Sequence, residues 1–67
     1  MTGRVVTFDE RRGLGVIESG DGTRFPFHCT RIADGSRTIG LHAAVAFDVV
    51  PGQLGQWEAA AIKPAAA

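Results

Sequence analysis

Nine glycines, at positions 3, 13, 15, 20, 22, 35, 40, 52 and 55, cut this 67-residue chain into short pieces. An interior glycine costs a helix roughly 1 kcal/mol, whereas tight turns use its freedom at positive φ. The pieces between them are rich in valine, isoleucine, threonine and phenylalanine, which favour strands. The pattern therefore predicts strands and turns. Arg4 to Phe8, Leu14 to Glu18, Thr23 to His28, Ala44 to Val50 and Trp57 to Ile62 read as five strands. Asp21-Gly22 suits a hairpin turn, and Pro51-Gly52 marks another. The one long connection runs from Cys29 to Ala43. Alanine-rich Glu58 to Lys63 has helical propensity, but it is short, follows a glycine turn and stops at Pro64.

Five short antiparallel strands with a long third connection fit an all-β fold, a small five-stranded OB-type barrel. Closure would satisfy edges that a flat sheet of this size leaves bare. Period-two alternation turns Val5, Ile17, Phe25, Phe27, Val45, Phe47 and Val49 inward, with Ile32, Leu41 and Ile62 capping the core. Residues 1–63 are expected to form one domain, with 64–67 a flexible C-terminal tail.

Seven basic and seven acidic residues give a net charge of zero, so no global positive field draws the chain to nucleic acid. A local patch remains open. Six of the seven basic residues are arginine, which favours planar contacts with phosphates or bases. Cys29 is the single cysteine, so no intramolecular disulfide forms and a reducing cytoplasm is expected. No apolar run approaches the ~18 residues a membrane span needs, and the first residues lack a signal-peptide core.

Two motifs carry the chemistry. They are Arg12-Gly13-Leu14-Gly15-Val16-Ile17 and Phe25-Pro26-Phe27-His28-Cys29. With the opening Gly3-Arg4-Val5-Val6-Thr7-Phe8-Asp9, the Val45-x-Phe47 pair and the ending from Gly52 to Ala60, the chain resembles a cold-shock domain over residues 3 to about 62. In that family the first motif reads Lys-Gly-Phe/Tyr-Gly-Phe-Ile and the second Val-Phe-Val-His-Phe. The resemblance implies an OB-type barrel that binds single-stranded RNA or DNA without catalysis. Bases stack on aromatic rings of strands two and three, and basic residues at the rim meet phosphates.

Carried over by position, Phe8 and His28 match family residues beside and on the stacking face. Leu14 and Val16 stand for the two rings of the first motif. Pro26 and Cys29 stand for two phenylalanines of the second, and Thr7 for a tryptophan. Base stacking is worth roughly 1–3 kcal/mol per ring. Losing five rings, even non-additively, implies affinity lower by on the order of 10²- to 10⁴-fold. Trp57 has no core position; it either replaces the ring missing at Thr7 or packs over the barrel mouth. Arg11 and Arg12 precede the first motif where the family has lysines, and Arg31 and Arg37 lie in the loop beside the binding face. Arg4 and Arg24 are weaker candidates. Phe25 and Phe27 replace family valines, which requires small residues opposite; Gly15 and Ala60 are the expected ones.

Other functions find little footing. No nucleophile elbow, phosphate loop or spaced carboxylate pair points to an enzyme. His28 and Cys29 are adjacent on a strand and lack a second ligand pair, so neither a metal nor another cofactor is expected. The rival reading is a protein-interaction or self-association module that uses Leu14, Val16, Pro26 and Trp57 as an apolar contact face.

Overall fold

The computed structural model describes every residue except Asp34, Ser36, Arg37, Gln53, Leu54, Ala66 and Ala67. The chain forms β1 (Thr2–Asp9), β2 (Leu14–Ser19), β3 (Arg24–His28), a short 3-10 helix (Cys29–Arg31), β4 (Ala44–Pro51) and β5 (Trp57–Pro64). The strands are all antiparallel and lie in one sheet in the order β3-β2-β1-β4-β5. No α-helix occurs among the described residues, so none is long and apolar enough to cross a membrane.

The sheet curls until β3 lies against β5. Among the described residues no ladder joins these two strands. The segment after β3 bridges the gap instead. Ile32 pairs with Ile62, and the Ala33 amide donates to the Ile62 carbonyl at 2.8 Å. The β1–β4 seam is short, Thr2 to Arg4, and is lengthened at both ends. The Met1 ammonium donates to the Phe47 carbonyl at 2.9 Å, and the Val5 amide to the Ala43 carbonyl at 3.1 Å. β5 runs to Pro64 and the Ala65 amide still donates to Ala44 at 3.1 Å, so pairing continues two residues into the expected tail.

The core holds Val5, Ile17, Phe25, Phe27, Ile32, Val45, Phe47, Ala59 and Ile62, with Val49 half-buried against it. Gly15 is small for the reason anticipated. A Cβ there would lie 2.6 Å from the Phe27 ring and 2.7 Å from the Thr7 carbonyl. Phe8 stacks on Phe27 with centroids 5.9 Å apart, and Phe25 tilts against Phe47 at 5.6 Å.

Two register shifts correct the simple alternation. In β1, Val5 pairs with Ile17 but Thr7 pairs with Val16, which leaves Val6 as an extra residue. The bulge turns Thr7 outward with Val16 and brings Phe8 opposite Gly15 on the inner side. In β5, Ala46 pairs with Lys63 and Asp48 with Ala60, so Ala61 and Ile62 both oppose Phe47. Two small residues are buried here: Ala60, as expected, which pairs with exposed Asp48, and Ala59, which joins the packed core cluster. Leu41 was expected to cap the core and is instead 57% exposed. It sits in a turn closed by the Ala43 amide on the Gly40 carbonyl at 3.2 Å, and half-buried Ile39 packs against the core in its place.

The β2–β3 turn is held by side chains. Buried Ser19 donates its hydroxyl to the Asp21 carboxylate, which also accepts the Thr23 amide at 3.0 Å. The Ser19 bond, with the Thr23 contribution second, holds the Asp21 carboxyl below the usual carboxylate range. Because the folded pKa is depressed, the stabilisation is full above the unfolded carboxylate pKa. It is lost as pH falls through the lowered value.

Three outcomes follow from this packing. Gly15→Ala should destabilise by about 1–3 kcal/mol in chemical denaturation, and adding Phe27→Val should recover part of the loss. Ala61 has φ +50 in its bulge. Ala61→Gly should therefore raise the melting temperature, whereas Ala61→Val should lower stability by about 1 kcal/mol or more. Acid should weaken protection of the Thr23 amide in hydrogen exchange at pH below the ordinary aspartate pKa. In Asp21→Asn that acid step should be absent.

Candidate nucleic-acid interface

Cross-strand partners share a face, so the ladders define the outer surface of β1, β2 and β3 row by row. The first row is Asp9–Leu14–His28, the second Thr7–Val16–Pro26 and the third Arg4–Glu18–Arg24. Rows two residues apart are separated by about 7 Å. The inner residues between them, Gly15 with Phe27 and Ile17 with Phe25, fill the core. Inward Phe27 thus places His28 outside, as alternation predicts, and His28 is exposed.

The middle of this face is apolar. Leu14 is 48% exposed, and Val16 and Pro26 are half-buried between their neighbours. No phenylalanine is among these three rows. All four phenylalanines face or pack against the core, Phe8 included. Phe8 supports the platform from beneath through its stack on Phe27, a position the β1 bulge dictates.

The His28 ring is fixed by its own loop. Its Nδ1 accepts the Thr30 amide at 3.3 Å and lies 3.0 Å from the Thr30 hydroxyl. When Nδ1 accepts, Nε2 carries the proton, and Nε2 lies toward Gly13, 3.7 Å from where a Cβ there would stand. Cys29 is half-buried against the core beneath the Asp9–Gly13 turn, the thiol environment expected. A Cβ on Gly13 would lie 2.7 Å from its sulfur, and Gly13 also has φ +68, so only glycine fits there.

That turn presents Arg11 and Arg12. The Asp9 carboxylate accepts the Arg11 amide at 3.0 Å and the Arg12 amide at 3.3 Å, and the Gly13 amide donates to the Asp9 carbonyl at 2.8 Å. Both arginines are exposed. The Arg12–Asp9 ion pair is long, 4.0 Å, and exposed. Such a pair is worth well under about 1 kcal/mol and leaves Arg12 available to a ligand. At the other end Arg24 holds Glu18 at 3.1 Å.

One groove draws the rim together. Leu14, His28 and Arg31 line it with Thr30, Pro51, Gly52 and Glu58. The last four were not foreseen. Thr30, two residues after His28, and the Pro51-Gly52 turn have sequence signals for their local roles; Glu58 has none. Trp57 is 58% exposed, which overturns its reading as a packing residue. Trp57 opens β5 opposite Pro51, and Thr7 pairs with Val16 on β2. Arg37 lies outside the described residues.

Residues 1–65 match the model of the 'Cold-shock' DNA-binding domain. The match spans nearly the whole chain, and the chain belongs to that family. The comparison with curated proteins gives no match. The family is one of non-catalytic modules that bind single-stranded nucleic acid, so nucleic-acid binding is the general function that membership implies.

Proposed function

We propose that the outer face of β1, β2 and β3 binds single-stranded RNA or DNA, with low affinity and without catalysis. The observation that carries this reading is the row structure. An exposed apolar strip, Leu14, Val16 and Pro26, is flanked by the His28 ring and by Arg11, Arg12 and Arg31. Apolar side chains cover base faces but lack the π surface of a ring. Phosphate contacts then carry more of the affinity, which makes binding steeply salt-dependent. The free cysteine and the absence of a disulfide framework support a cytoplasmic setting.

Fluorescence titration tests the reading, because Trp57 is the sole tryptophan and lies beside the groove-lining Pro51. Short pyrimidine strands should quench it saturably and weakly. The logarithm of affinity should fall with the logarithm of salt concentration, with slope about −0.7 per phosphate contacted. Leu14→Phe and Val16→Phe restore rings at exposed or half-buried positions. Each should raise affinity by roughly tenfold, about 1.4 kcal/mol, with little change in melting temperature. Failure of every strand to bind would sink the reading. A salt-insensitive, concentration-dependent self-association lost in Leu14→Asp would instead establish the same face as a protein contact.

A further inference from the structure

The outer face does not end at Pro26. Its third row, Arg4–Glu18–Arg24, opens onto a second groove of about 620 Å³. Thr2, Arg4, Glu18, Ser19, Gly20 and His42 stand along it. None of the apolar platform residues belongs to it, and it lies past the opposite end of the platform from the groove at Leu14 and His28.

Two side chains give this groove its character. Glu18 is matched by Arg24 at 3.1 Å, and among the described residues Arg4 has no carboxylate within ion-pair distance. His42 has φ +66, a backbone region costly for any residue but glycine. Its conformation is held by its amide, which donates to the Val5 carbonyl at 2.7 Å, and by the Val5 amide on Ala43 at 3.1 Å. Those bonds anchor the turn to the residue next to Arg4. A glycine would satisfy them without strain. The chain instead keeps an exposed imidazole there, in the same groove as Arg4, whose cross-strand neighbour Glu18 is held by Arg24.

A guanidinium offers only donors, and an imidazole always offers at least one. Their shared complement is an anion with several acceptor oxygens. The third row lies one step of about 7 Å beyond Val16–Pro26, in line with a strand that crosses the platform. We propose that Arg4 and His42 hold a backbone phosphate of that same single strand, which extends its track past the platform into this groove. The proposal rests on the reading of the outer face as a nucleic-acid surface.

The test compares a five-nucleotide with a ten-nucleotide thymidylate strand, by fluorescence anisotropy, on the full chain and on Arg4→Gln and His42→Gly. Wild type should favour the longer strand. Each substitution should cut affinity for the longer strand about fivefold and leave the shorter nearly unchanged. Arg4→Gln should also reduce the salt slope on the longer strand by about 0.7. His42→Gly removes the side chain and relieves the left-handed backbone, so it should melt no lower than wild type, and its lost affinity cannot come from unfolding. If both variants bind the ten-nucleotide strand as wild type does, with an unchanged salt slope, the phosphate site is overturned and the platform reading stands. If wild type binds neither strand, both fall.

Discussion

Phe27 lies over Gly15, and Phe8 stacks on Phe27. This contact sets the register of the three strands that form the outer face. Gly15 pairs with both Phe8 and Phe27, so the three residues form one inner row across β1, β2 and β3. Burying a phenylalanine contributes roughly 1.5–3 kcal/mol, and a one-residue slip would expose both rings at once. Fixing that row fixes the outer rows on either side of it, Asp9–Leu14–His28 and Thr7–Val16–Pro26. The chemistry of the face is thus decided from within the core.

The same packing explains why the face is poor in rings. The four phenylalanines are all committed to the core or its margin. Larger residues at Phe25 and Phe27 fill volume that smaller ones would leave, and the glycine at position 15 makes room for Phe27. Outside remain a leucine, a valine, a proline and a histidine pinned by Thr30. Such a surface shields a base from water without gripping it, and the balance of recognition passes to arginine.

Neutral total charge conceals an ordered distribution. Asp9 is occupied in closing its own turn, and Glu18 is held by Arg24. Both acids in the platform's own rows are therefore engaged, and Glu58 stands across the groove from Leu14 and His28, while Arg11 and Arg31 at one end and Arg4 at the other have no ion-pair partner among the described residues. These cations flank an apolar centre at both ends, the arrangement a backbone-tracking ligand requires.

Much of this was legible in the residues. Glycine spacing and β-branched runs set five antiparallel strands, because both are local preferences of the backbone. The two motifs named the face and placed Leu14, Val16, Pro26 and His28 on it, because alternation is local as well. What local pattern could not reveal was where an extra residue enters a strand. The bulge at Val6 sent Phe8 inward, and the one at Ala61 brought Ala59 into the core as well as Ala60. A bulge is chosen by the fit of two strands, and a period-two reading of either strand alone has no sign of it. Leu41 was misplaced by its turn, closed by the Ala43 amide on the Gly40 carbonyl. The groove residues Pro51, Gly52 and Glu58 fell to the same limit as the bulges, because their surroundings arise only when the sheet curls and brings β5 against β3. Sequence determined the strands and the chemistry they carry; the tertiary structure decided which side chains meet, because those contacts join residues far apart in the chain.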